Sequence, residues 1–246
     1  MVRLILVLLF IILFLLVSIP ILLILWIIGL IRPAIREHAS LAIVSWAFRV
    51  ITWLAGVRLT IRGEENIPAN EGVLFIGNHR SYFDIVLAYG HMNRLTGFIA
   101  KKQIRVVPIL NLWMLNLHCL FLDRDDLKQG LEMIGKASDL VRQGVSIMIY
   151  PEGTRNKTED ALLPFHRGSF RIAQKTGCKI IPVVVTHTDE IYEKHRPFIR
   201  SAHVTMTYCP PIDTSTMEMK ERKVVDTQVR AVMEAQYFAD LQPEKA

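Results

Sequence analysis

Apolar positions are distributed unevenly along the chain. Leu4 to Ile31 is a block of 28 residues without a single charge, interrupted only by Ser18, Pro20 and Gly29. A hydrocarbon core needs roughly 20 helical residues to cross. A secretory signal has an apolar region of about 7 to 15 residues followed by a small-residue cleavage site, whereas this block runs into Arg32, Pro33 and Arg36. It therefore reads as a retained membrane segment. Pro20 leaves two arrangements open, a crossing helix or a re-entrant hairpin. A second stretch, Ala39 to Val57, carries only Arg49 as a charge and places Trp46 and Trp53 seven residues apart, on about one helical face. It fits either a core helix of the following domain or an interfacial helix at the headgroup layer.

From Val57 onward the pattern is that of a water-soluble domain. Val57, Leu59 and Ile61 alternate with Arg58, Thr60 and Arg62, a half-buried strand ended by Gly63. Short apolar runs recur at Val73 to Ile76, Phe98 to Ala100, Cys119 to Leu122, Val145 to Tyr150 and Ile180 to Val185, and a period-two strand covers His203 to Tyr208. Leu127, Leu131, Ile134 and Val141 share one face of a helix over 127–141, and an amphipathic helix runs from about Met219 to Leu241. Strands alternating with helices predict an α/β domain, a central mixed sheet flanked by helices, over residues 59–246, preceded by membrane-anchoring helices over residues 1–58.

Composition sharpens that division. Over 246 residues, 51% are hydrophobic and the formal charge is +6, with mean hydropathy +0.30. Residues 1–58 hold five arginines (Arg3, Arg32, Arg36, Arg49, Arg58) against Glu37, a balance of +4 that leaves +2 for residues 59–246. Four of those arginines follow the apolar block, which by the positive-inside rule puts the rest of the chain in the cytoplasm, on the inner face of the cell membrane. No basic stripe exists that would engage nucleic acid. Cys119, Cys178 and Cys209 form no C-x-x-C pair and read as reduced core residues.

Candidate chemistry concentrates in Gly77, Asn78, His79, Arg80, Ser81, Tyr82, Phe83, Asp84. A strand ends at Ile76 and a helical pattern starts after Ser81, a good N-cap with Asp84 three positions on. In one continuous helix, residues five apart diverge by about 140°. With His79 in the turn and Asp84 in the first helical turn, however, the carboxylate can reach one imidazole nitrogen and leave the other as a general base. Asp123 and Arg124 end another strand, Tyr150, Pro151, Glu152, Gly153, Thr154 and Arg155 end a third, and Pro182 sits inside Ile180 to Val185. In open α/β sheets ligands gather at the carboxyl ends of strands. Two arginines beside a strand-end histidine describe a site for an anionic substrate next to a base.

The order NHRSYFD, LFLDR, YPEGTR, IIPVVV resembles the four motifs of the 1-acyl-sn-glycerol-3-phosphate (lysophosphatidic acid) acyltransferase family, part of the glycerolipid acyltransferase superfamily. The resemblance covers about residues 70 to 190, including Ala100-Lys101-Lys102 and Pro164 to Gly168, with Tyr150 where Phe is usual and His166 where Lys is frequent. It implies the glycerolipid acyltransferase fold and acyl transfer from a thioester, acyl-ACP or acyl-CoA, to the sn-2 hydroxyl of lysophosphatidic acid at a phospholipid membrane, with no cofactor beyond that co-substrate. It implies His79 as base and Asp84 as its orienting carboxylate. Lys101, Arg124 and Arg155 are then phosphate ligands, Glu152, Gly153 and Thr154 the substrate loop, and Asn78 and Pro182 structural supports. Glu152, a poor phosphate partner, is expected to bond glycerol hydroxyls or to position Arg155. Other acceptors (glycerol-3-phosphate, another lysophospholipid, an amino-acid lipid) and a catalytically silent lipid-binding protein stay open on the residues alone.

Other patterns carry little. Gly130 to Lys136 imitates a P-loop but lacks the following Ser or Thr and sits in a helical pattern. Asn156-Lys157-Thr158 is a glycosylation sequon on the cytoplasmic side. Neither H-E-x-x-H nor G-x-S-x-G occurs, and His187, His195 and His203 have no carboxylate pattern of a metal site around them.

Overall fold

The computed structural model describes residues 1–123 and 126–242. The apolar block forms one helix, α1 (Val2–Ile31), which continues through Pro20. The chain reverses instead at Arg32, whose φ of -132° and ψ of 74° are non-helical, and resumes as α2 (Pro33–Ala55). Proline explains the site of reversal. It pushes the preceding residue out of the helical region, while its own fixed φ and missing N–H suit the first position of a new helix. The two helices run antiparallel over their length, with the Arg3 side chain against Gly56 and that of Arg36 against Gly29. Both are long and apolar enough to cross a membrane.

α2 combines the two characters left open for it. Leu41, Val44, Ala47, Ile51 and Ala55 are buried, whereas Trp46 and Trp53 on the other face are 52% and 76% exposed. Leu41, Val44, Ile51 and Ala55 belong to the same core as Phe75, Val183 and Met206 of the sheet. The helical hairpin and the α/β part therefore share one apolar core.

The remaining elements are β1 (Arg58–Arg62), β2 (Leu74–Gly77), α3 (Phe83–His91), β3 (Thr96–Lys101), α4 (Leu110–Asn116), β4 (Leu120–Leu122), α5 (Leu127–Arg142), β5 (Ser146–Ile149), α6 (Arg171–Thr176), β6 (Lys179–Thr186), β7 (His203–Tyr208), β8 (Ile212–Asp213), α7 (Met219–Arg222) and α8 (Val225–Leu241). The strand order is β1-β7-β6-β2-β5-β3-β4, with β8 also paired to β6. β6, β2, β5, β3 and β4 are parallel, while β7 and β8 run antiparallel to β6. Alternate residues of the central strands face two cores. Phe75, Met148, Ile181 and Val183 face α2 and α3. Leu74, Ile76, Ile147, Ile149 and Val184 face α5, α6 and α8. Burial on both faces is why these strands read as unbroken apolar runs.

Two local details differ from the sequence pattern. The C-terminal helix is broken at Lys223 and Val224, so that α7, closed by a reciprocal Glu218–Glu221 capping box, is separate from α8. The break aims Val225, Val229, Met233 and Tyr237 at the sheet. Pro182 lies inside β6 without an unmet partner. Its carbonyl accepts from Cys209 N–H at 2.9 Å, so its ring nitrogen faces the gap where the neighbour of β6 changes from β7 to β8.

Candidate active site

β2 ends at Gly77, and the turn 78–82 leads into α3. Asn78, 1% exposed, closes the strand end with its side chain: Nδ2 donates to the Val185 carbonyl and Oδ1 accepts from the Val185 N–H, both at 2.8 Å. The amide thereby continues the β2–β6 pairing past the last strand residue and sets the height at which His79 leaves the sheet.

Asp84 Oδ2 then gathers the turn. It accepts from His79 Nδ1 at 2.8 Å, from Arg80 N–H at 2.7 Å and from Ser81 N–H at 2.8 Å. Phe83 N–H donates to Ser81 Oγ at 3.0 Å, although the N-cap of α3 is Tyr82, one residue after the Ser81 that the sequence pattern suggests. The carboxylate thus serves both the helix N-terminus, where donors and dipole favour negative charge, and the imidazole. His79 Nε2 has no protein partner among the described residues. The ring stacks on Tyr150, centroids 4.5 Å apart and planes 24° apart. Burial, with the nearby Asp84 charge adding to it, holds the Tyr150 phenol well above its usual range, so this neighbour stays neutral.

The loop after β5 fixes the histidine backbone from the other side. Glu152 Oε1 accepts from His79 N–H at 2.7 Å, and Asn156 N–H donates to the His79 carbonyl, also at 2.7 Å. Glu152 Oε2 accepts from Leu163 N–H at 2.9 Å. At 4% exposure, with both oxygens on backbone donors, Glu152 braces the loop rather than reaching toward glycerol hydroxyls or Arg155. Burial pushes its carboxyl above the ordinary value, opposed by those two hydrogen bonds. Gly153, at φ 70°, takes the left-handed turn that lets the chain double back, a conformation costly for side chains with a Cβ. Thr154 is exposed.

Arg155 faces the same rim. Its guanidinium lies 3.7 Å from the Tyr82 ring centroid and donates to Glu193 Oε1 at 2.9 Å and to Tyr82 Oη at 3.0 Å. Lys101 ends β3 in register with Leu122 of β4, exposed and without an ion pair among the described residues. Arg124 lies outside the described residues. The structure thus brings together His79, Asp84, Asn78, Glu152 and, through Ser81, Tyr82 and Glu193, Arg155. It does not join Lys101 or Thr154 to them.

Several contributors escape sequence reasoning. Asn156 directly follows the P-E-G-T-R run, but its spacing carries no signal. Its side chain accepts from Thr158 and donates to Asp160, a tight turn at 2% exposure that takes the sequon asparagine out of reach. Arg80, in the histidine motif itself, points away from the rim: it is 6% exposed, donates to the Thr158 and Asp160 carbonyls and pairs with Asp189. Among the described residues no group of His, Cys, Asp and Glu has the makings of a metal site.

The structure is a mixed α/β sheet with a carboxylate-held histidine at its carboxyl rim, braced by the P-E-G-T-R loop. The chain belongs to the acyltransferase family, whose model matches residues 58–186. It is 29% identical over 182 residues to a 1-acyl-sn-glycerol-3-phosphate acyltransferase of Borreliella burgdorferi, covering 74% of this chain and 72% of that one. It is 27% identical over 205 residues to the human 1-acyl-sn-glycerol-3-phosphate acyltransferase beta, covering 82% and 73%. The crystal structure of the 1-acyl-sn-glycerophosphate acyltransferase PlsC from Thermotoga maritima superposes with a TM-score of 0.73 at 25% identity, over 85% of this chain and 83% of that one.

Proposed function

We propose that the protein is a membrane-bound acyltransferase that moves a fatty acyl chain from a thioester to the sn-2 hydroxyl of 1-acyl-glycerol-3-phosphate, giving phosphatidic acid. The observation that carries this reading is the 2.8 Å bond from His79 Nδ1 to Asp84 Oδ2, which leaves Nε2 as the base, with Arg155 linked to the same turn through Tyr82 and Glu193. Nε2 takes the hydroxyl proton as the oxygen attacks the thioester carbonyl. Asp84 stabilises the imidazolium that forms, the C–S bond breaks, and the proton passes to the departing thiolate. No acyl-enzyme is needed. Arg155, with Lys101 and Arg124, binds the acceptor phosphate, a pairing that favours the forked guanidinium.

The acyl donor is acyl-ACP or acyl-CoA. The outer face of α1, from Ile5 to Leu30, and Trp46 and Trp53 of α2 are the exposed apolar surface that seats the protein in the cell membrane, with the site on the cytoplasmic face. The test is release of free thiol from an acyl thioester by purified protein in lipid: release that requires lysophosphatidic acid supports the reading. Release with glycerol-3-phosphate or another lysophospholipid, but not with lysophosphatidic acid, would reassign the acceptor.

A further inference from the structure

Glu193 lies outside every motif of the sequence. It opens the short turn Glu193–His195 in the connection from β6 to β7. Its side chain is only 12% exposed, and its carboxylate gathers groups from two motifs. Oε2 accepts from Ser81 Oγ at 2.6 Å, while Oε1 accepts from Tyr82 N–H at 3.1 Å and from Arg155 Nη1 at 2.9 Å. Arg196 Nη2 stands 3.9 Å from the same oxygen.

We propose that Glu193 is a positioning residue for acceptor binding: it holds Arg155 flat on Tyr82 and at the same time pins the Ser81–Tyr82 start of α3, so that one carboxylate sets the spacing between the anion site and His79. This rests on the reading of Arg155 as a phosphate ligand. The chemistry of the pair supports orientation rather than competition. Two of the five guanidinium N–H donors are used, by Glu193 and Tyr82 Oη, which leaves three for a phosphate. Glu193 is itself held by the Ser81 hydroxyl and the Tyr82 N–H, so it keeps its place whether or not Arg155 turns to a ligand. A negative group there is also favoured by the N-terminal end of α3.

The test is acceptor and donor kinetics of E193A, E193Q, R155A and the E193A/R155A double variant in lipid, with thermal unfolding of each followed in parallel. E193A is expected to raise the apparent KM for lysophosphatidic acid about tenfold, the scale at which an outer partner acts on the ligand it orients. The donor KM should stay unchanged and kcat change less. E193Q, which keeps one acceptor oxygen and the shape, should recover part of the loss and serves as the reference if E193A does not fold. The double variant should bind the acceptor no worse than R155A, because Glu193 acts through Arg155. An unchanged KM in R155A would overturn the phosphate reading itself. A raised KM in R155A with an unchanged one in both Glu193 variants would overturn the positioning role alone. A lowered KM in E193A would overturn it too, making Glu193 an occupant that the phosphate has to displace.

Discussion

Glu152 holds His79 by the main chain: its Oε1 accepts the histidine N–H at 2.7 Å across 73 residues of sequence. Asn156 takes the histidine carbonyl at 2.7 Å, so the loop named for its arginine also serves to immobilise His79. The imidazole is therefore constrained through Asp84 and the backbone through the P-E-G-T-R loop, and variants should separate the two constraints.

His79→Ala should lower turnover by about 10² to 10⁴, the range of a general base, with little change in thermal unfolding. The His79 backbone stays bonded, and Asp84 keeps its two backbone donors. Near-normal thiol release by this variant would refute the mechanism.

Glu152→Gln replaces one of two acceptor oxygens by a donor that meets a backbone N–H. A loss of about 1 to 3 kcal/mol is expected for the unpaired group, with kcat falling more than the acceptor KM rises. The loss depends on pH. Because burial raises the folded-state pKa of Glu152, wild type gains from this group on the acid side and loses that gain as pH rises through the raised value. The gap between wild type and Glu152→Gln should therefore narrow from acid to alkaline pH in denaturant titrations, and a widening gap would contradict the burial argument.

Asn78→Ala removes both bonds to Val185 and leaves a buried N–H and a buried carbonyl unpaired, about 1 to 3 kcal/mol each. Thermal unfolding should drop markedly. Asn78→Asp, which when ionised turns a buried carboxylate oxygen toward the Val185 carbonyl, should be at least as destabilising as alanine at neutral pH.

Removing residues 1–31 strips the exposed face of α1 and also takes Ser18 from Trp113, whose Nε1 donates to its hydroxyl at 3.0 Å. Sedimentation with lipid vesicles should show weaker membrane binding and scanning calorimetry a lower Tm. Undiminished sedimentation would assign the anchoring to the Trp46 and Trp53 face of α2.

Much of the fold is legible because its signals are local. The runs Val73 to Ile76, Val145 to Tyr150 and Ile180 to Val185 are strands buried on both faces, whereas β1 is partly buried along its length after Arg58, with Leu59 and Ile61 packed against the core. The helix reversal is not legible in this way: the sequence pattern offers Pro20 as the break, but α1 runs through it and the chain turns at Arg32, before Pro33. Breaking the C-terminal pattern into α7 and α8 required the sheet, since the row Val225, Val229, Met233, Tyr237 has to meet β6.

The relation of His79 to Asp84 is written locally, because a strand end, a turn and a helix start bring both groups within one bend. The sequence also carries the long apolar helix α1, since an uncharged block of that length must leave water for protein or lipid. The contacts of Glu152 and Glu193 come from the folded arrangement alone. A carboxylate's charge announces that it must be paired, but the partners here are Leu163, His79, Ser81 and Arg155, brought to it by strand order and loop closure. Those contacts arise from packing between segments far apart in the chain, and no periodicity or motif spacing encodes them.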